Sequence, residues 1–227
     1  MPNKYRVVIA GATGEIGQRL LDNLIAHNEI AEIHLLLRRP LNTPQPNVHE
    51  HIVDFEQLDS LIIDNPKQLE TFAYCCLGTT IKKAGSKAEF SKVDLDYAIN
   101  FAKWSSKHNC KKFAVISSLD AKASSKNFYL QTKGKMESAL SDMSWESLWI
   151  FRPSLLTGQR QEFRFGEKLG AFAAKLVNPL LIGPYQKYRP IQMDKVAKSL
   201  SLLLDEDKQG VHIVESDQIE SLAVVTK

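Results

Sequence analysis

Short apolar, largely β-branched runs alternate with helical patterns along this chain, and that alternation narrows the fold more than any other feature. The runs are "YRVVIAG" (5–11), "IHLLLR" (33–38), "VHEHIVDF" (48–55), "FAYCCLG" (72–78), "KKFAVISS" (111–118), "ESLWIFRP" (146–153) and "GVHIVES" (210–216). Helical patterns stand between them: Glu15–His27, Phe90 to Lys107, Phe128–Leu140 and Asp194–Leu204. On the second of these, Phe90, Val93, Tyr97, Phe101 and Trp104 recur at spacings of three and four and share one face. Strand, helix, strand repeated this often predicts an α/β fold: a doubly wound, mostly parallel sheet with helices on both faces. The nearly continuous apolarity of "VVIAG" and "FAVIS" suits strands buried on both sides.

Composition agrees with one soluble domain. The 227 residues are 44% hydrophobic and 24% charged, so residues 1–227 read as a single unit, with a small C-terminal region at 153–193 on the substrate side. A net charge of +3, spread along the chain, gives no reason to expect a nucleic-acid partner. No apolar run reaches the roughly 18 residues of a membrane helix. The three cysteines make no disulfide framework, and "MPNKYRVVIAG" lacks the pattern of a secretory signal. The expectation is a cytoplasmic protein.

The first strand ends in "GATGEIG", where Gly11, Gly14 and Gly17 open a helix. A tight turn, close approach of backbone to a pyrophosphate and close packing of helix on strand each require a missing side chain. The helix start adds free N–H groups and a positive dipole end. The turn, with Thr13, Glu15 and Ile16, is therefore a predicted dinucleotide cradle of Rossmann type. A carboxylate about 20 residues farther on would mark NAD. This chain instead has Arg38 and Arg39 after the second strand, a pair suited to a 2′-phosphate, which favours NADP over NAD. Asp54 and Phe55 stand at the end of the third strand, where an adenine edge would lie, and Leu77, Gly78 and Thr79, in "LGTT", come after the fourth.

Tyr129 and Lys133 are four apart on a predicted helix and so share a face. Alone, that spacing is an ordinary surface pair. Behind a glycine turn and a strand tipped by Ser117 and Ser118, it becomes a candidate acid–base set. Tyr129 would give or take a proton at a carbonyl or alcohol oxygen. Lys133 would favour the phenolate and hold ribose hydroxyls, and a serine hydroxyl would stabilise developing charge. Ser118 is preferred, although strand pleating alone leaves either serine open.

"CCLGTTIKKAGS", "VDLDYAINFAK", "SSLDAKASSKNFYLQTKGKME" and "FRPSLLTG" resemble the Tat-interacting-protein family of atypical short-chain dehydrogenases/reductases. The likeness runs from about Lys4 to Ser216. It implies a Rossmann-type fold, NADP(H) binding and an oxidoreductase site with Ser118, Tyr129 and Lys133 as catalytic residues. It also implies Gly11, Thr13, Gly14, Gly17 and Arg39 at the dinucleotide. Pro153, Ser154 and Leu155, where the family's commoner Pro-Gly is missing, would border the nicotinamide. An asparagine is frequent before the fifth strand in the wider superfamily, and Asn100 is available.

Two further readings are open: a dinucleotide-sensing regulator acting through a protein partner, and a nucleotide-sugar epimerase or dehydratase using the same triad. The tyrosine weighs against the first and chain length against the second. A small carbonyl or alcohol substrate is expected, with no membrane partner and either a monomer or a homodimer. "HEH" (49–51) lacks a third ligand at zinc spacing, so no metal is expected. Lys82 and Lys83 read as a solvated loop. Phe163, Phe165, Phe172 and Tyr185 are as compatible with packing as with a substrate pocket.

Overall fold

A computed structural model describes residues 5–158 and 181–224. Seven strands form one sheet, joined in every case by parallel pairing: β1 (Tyr5–Ala10), β2 (Ile30–Leu37), β3 (Val48–Ile52), β4 (Glu70–Cys75), β5 (Lys112–Ile116), β6 (Ser147–Arg152) and β9 (Gly210–Glu215). Their order is β3-β2-β1-β4-β5-β6-β9, and β7 (Leu156–Thr157) and β8 (Ile191–Gln192) pair separately. The order reverses between β1 and β4, which opens a crevice at the carboxyl ends of those strands. The α/β, doubly wound prediction is met.

Alternation along each strand builds a core on both faces. Val7 and Ile9 of β1 face one way, with Leu35, Phe72, Trp149 and Phe151. Covering that side are α1 (Glu15–Ile25), through Leu20 and Leu24, and, later in the chain, a helix at Met193–Ser201 through Val196 and Leu200. Val8 and Ala10 face the opposite way, with Ala73, Phe113, Val115 and Ile150. Residues such as Val7, Val8 and Ile9 are fully buried, and each such side chain contributes about 1.5–3 kcal/mol of apolar transfer.

The segment predicted as one helix from Phe90 to Lys107 is built in three parts. After α2 (Ile81–Ala84), which precedes this segment, the end of α3 (Lys87–Ser91) leads into a π turn at Lys92–Asp96, and only then does α4 (Tyr97–Lys107) begin. Phe90, Tyr97, Phe101 and Trp104 are buried as the periodicity required, with Val93 half-buried. Buried Asp94 lies within the π turn that interrupts the run. Beside α4 lies α5 (Phe128–Ser141), capped by Asn127, whose side chain accepts from the Leu130 N–H at 3.2 Å. The Met193–Ser201 helix is α6, and α7 (Ser216–Val224) follows β9. The sequence reading stopped at β9 and did not include α7.

Candidate active site

The glycine turn sits at the crevice. Gly11 has φ +91°, and a Cβ there would fall 2.5 Å from the Cys76 carbonyl, so β1 and β4 close together only around a glycine. At Gly17 a Cβ would lie 2.2 Å from the Gly11 oxygen, the contact that seats α1 on its strand. Gly14 differs. It is exposed and forms the N-cap of α1 with no side chain to satisfy the first-turn N–H groups. That bare helix start beside exposed Thr13 fits a pyrophosphate. Glu15 turns back to Arg19 at 2.9 Å, and Arg19 reaches Asp194 of α6 at 3.0 Å. Ile16 is buried in the core.

Arg38 and Arg39 lie exposed just beyond β2. Asp54 is also exposed, its Oδ1 accepting from the Glu56 N–H at 2.9 Å. Phe55 is buried and stacked on Tyr97 at 5.5 Å between ring centroids. Asn100 donates to the Phe55 carbonyl at 3.0 Å, and so anchors the loop after β3.

The second half of the site is the meeting of β4, β5, the π turn and α5. Lys133 is 4% exposed and Asp94 1%, with Nζ and Oδ1 2.8 Å apart. Lys133 also donates to the Ile116 carbonyl at the end of β5, at 3.3 Å. The second carboxylate oxygen of Asp94 accepts from the Thr79 N–H at 2.8 Å, in the loop after β4. Over the pair stands Gly78, exposed and without a side chain; a Cβ there would lie 3.5 Å from Asp94 Oδ1 and 3.9 Å from Lys133 Nζ. Leu77 and Thr79 flank it, both half-buried. Burial pulls the Lys133 ammonium towards neutrality. The Asp94 carboxylate and then Tyr129 more than offset this, so its pKa stands above the ordinary lysine value.

Tyr129 is half-buried one turn before Lys133, its ring 5.7 Å from that of buried Phe90. Of the two serines, Ser117 is buried, its hydroxyl without a partner among the described residues. Ser118 is half-buried, its hydroxyl donating to the Leu119 carbonyl at 3.3 Å. Gly134 allows the loop between β5 and α5 to lie on the helix, because a Cβ there would meet Lys122 and Ala123 backbone at 2.2 Å. The Lys122 N–H then donates to the Leu130 carbonyl at 3.1 Å.

After β6, Pro153 is buried and its carbonyl accepts from the Leu119 N–H at 3.0 Å. Ser154 is tied on both sides: its N–H to Ser216 Oγ at 2.6 Å, its hydroxyl to the Arg189 carbonyl. Leu155 is exposed. Phe163, Phe165 and Phe172 lie outside the described residues, as does most of the substrate-side region predicted at 153–193; Tyr185 is exposed. Among the described residues no cluster of three His, Cys, Asp or Glu side chains could hold a metal, and no helix is long and apolar enough to cross a membrane.

Sequence analysis missed Asp94. In "VDLD" it reads as one more polar residue on a helix. The signal that could have found it is its place in an otherwise apolar face, three residues before buried Tyr97.

A family model described as HIM1 matches residues 44–179. Protein HTATIP2 of Rattus norvegicus is 39% identical over 172 residues, covering 74% of this chain and 69% of the relative. Protein FMP52, mitochondrial, of Eremothecium gossypii is 32% identical over 218 residues, covering 95% and 96%. Among solved structures, human epimerase family protein SDR39U1 (isoform 2) with NADPH superposes with TM-score 0.62 at 19% identity, covering 92% of this chain and 73% of that one. The oxidoreductase ylbE of Lactococcus lactis gives 0.61 at 19%, covering 96% of each. The FMP52 relatives are named mitochondrial, which overturns the cytoplasmic expectation. Cysteines kept as free thiols suit any reducing compartment and do not single out the cytoplasm.

Proposed function

The chain belongs to the HIM1 family, as an atypical short-chain dehydrogenase/reductase of the HTATIP2 type, and from that premise we propose an NADP-dependent oxidoreductase acting on a carbonyl/alcohol pair. The observation that carries the reading is a charged lysine retained in a nearly dry position, with Gly78 of the loop after β4 close beside it. A buried ammonium costs several kcal/mol of desolvation when unpaired, and here it shares a helix face with Tyr129.

The nicotinamide, when bound, supplies or accepts the hydride. Gly11, Gly14 and Gly17, with Thr13, Glu15 and Ile16 at the start of α1, would hold the pyrophosphate. Arg38 and Arg39, exposed past β2, favour a 2′-phosphate over a free 2′-hydroxyl. Two of the three Lys133 N–H groups are engaged by Asp94 and Ile116, which leaves one for a ribose hydroxyl. Tyr129 gives or takes the proton at the substrate oxygen, and Ser118, the less buried serine, donates to that oxygen as charge develops. Asp54, Phe55, Leu77 and Thr79 would border the cofactor through the loops after β3 and β4, and Pro153 to Leu155 through the end of β6.

NADPH consumption over a panel of aldehydes, ketones and quinones, with Tyr129→Phe as control, tests the proposal. The variant is expected to lose turnover by about 10²–10⁴ while binding NADPH with unchanged affinity. Equal turnover in the two proteins would remove Tyr129 from the chemistry. NADPH binding combined with inactivity across the panel in both would favour a dinucleotide-sensing regulator.

A further inference from the structure

We propose that Asp94 is a positioning residue for Lys133: lodged in the π turn, it fixes the ammonium beneath Gly78 and keeps it protonated for the cofactor and the tyrosine. The inference rests on the oxidoreductase reading above and extends it to a residue outside the Ser–Tyr–Lys set.

Three features of the geometry carry it. First, the two charges are almost wholly withdrawn from water and lie 2.8 Å apart. Neither is stable there alone, because a lone buried lysine sheds its proton and a lone buried carboxylate picks one up. Second, Asp94 is itself held in place. Its other oxygen accepts from the Thr79 N–H at 2.8 Å, so the carboxylate bridges the loop after β4 and the helix that carries Tyr129. Third, the backbone is arranged to deliver it. A π turn widens one turn of a helix and is often found at functional sites, and at Lys92–Asp96 it carries an aspartate into the interior between buried Phe90 and Tyr97.

The charged and titratable groups facing Lys133 are few. Asp94 comes from the π turn, Tyr129 from its own helix and Cys75 from β4. Burial pushes the Cys75 thiol up to about 11, so it stays neutral. Asp94 is therefore the partner that holds the proton on Lys133.

The test is direct titration of Lys133 by NMR in ¹³C-lysine-labelled full-length protein, with the signal assigned by its loss in Lys133→Met, for wild type and for Asp94→Asn. Asparagine keeps the size and an acceptor oxygen but removes the charge. In Asp94→Asn the lysine is expected to lose proton affinity by about ten-fold or more. Its NADPH affinity should weaken along the same limb as pH rises. Coincident titration curves would overturn the proposal, whatever the catalytic assays show, and Tyr129→Phe turnover reports separately on the oxidoreductase reading.

A double variant covers the case in which Asp94→Asn does not fold, since replacing both members of a buried pair is better tolerated than stranding one. If Asp94 acts through Lys133, Asp94→Asn/Lys133→Met should bind NADPH no more weakly than Lys133→Met. A further several-fold loss in the double variant would show Asp94 acting by another route and would also overturn the proposal.

Discussion

Two glycines in one turn have opposite tolerances, because each is small for a different reason. A methyl on Gly17 would stand 2.2 Å from the Gly11 oxygen, backbone against backbone, so α1 must move off β1. Gly17→Ala is expected to lower stability by about 1–3 kcal/mol, visible as a lower urea midpoint with an unchanged slope. At Gly14 the nearest atom is 3.3 Å away, and φ −81° suits alanine. Gly14→Ala should therefore unfold close to wild type while binding NADPH at least about ten-fold more weakly, since the methyl occupies the approach of the pyrophosphate. Arg39→Ala, likewise neutral for folding, should weaken NADPH about 10–100-fold and leave NADH nearly unchanged, as expected for one charge-assisted contact removed. Gly14 and Gly17 were legible from spacing because a glycine turn announces its own geometry. The Ser117/Ser118 choice was not, since pleating decides which hydroxyl is accessible, and it is Ser117 that the fold buries. Asp94 was invisible for a related reason: its meaning lies in a partner 39 positions away, which no local pattern records.

At the level of elements, α4 and α5 do different work. α4 is mostly packing, with Phe101 and Trp104 fully buried against Phe113 and the second face of the sheet. Phe101→Ala should lower stability by about 3–5 kcal/mol, measured by denaturant titration, and leave the NADPH affinity of the remaining folded protein unaltered. α5 carries the proposed acid–base pair and has no strong apolar stripe. It is pinned by polar contacts instead, among them the Arg152–Glu137 pair, whose two contacts are 3.0 and 2.5 Å. The strands and the sites of the main helices were readable because period-two and period-3.6 patterns are properties of short windows. The interruption at Lys92–Asp96 and the helix α7 were not. The first holds Asp94, whose ion-pair partner Lys133 lies far along the chain. The second is nine residues long with only Ser216, Ile219 and Ala223 buried, too few to impose a period.

For the molecule as a whole, the two edges of the sheet are unlike. On the β3 side, buried His34 stacks with His49 and His51 at 5.1 and 5.2 Å, and its Nδ1 lies 3.0 Å from His51 Nε2. Burial, then the Arg6 charge and His51, lower the His34 pKa to about 4, against a smaller upward pull from Glu32. A histidine held neutral in the fold gives full stability above its unfolded value of 6.5, and that stability drains away as pH falls from there towards about 4. Urea midpoints should decline over that window by an amount on the order of 3 kcal/mol at most. His34→Leu should flatten the decline, and an equal slope in the variant would assign it to other groups. On the opposite side, β9 pairs among the described residues only with β6, and Val211 and Ile213 are exposed. During synthesis β6 therefore waits nearly sixty positions for its neighbour while the rest of the sheet assembles. Throughout that interval the nascent protein carries an unsealed backbone ladder next to α5, a surface open to any passing strand until residues 210–215 emerge.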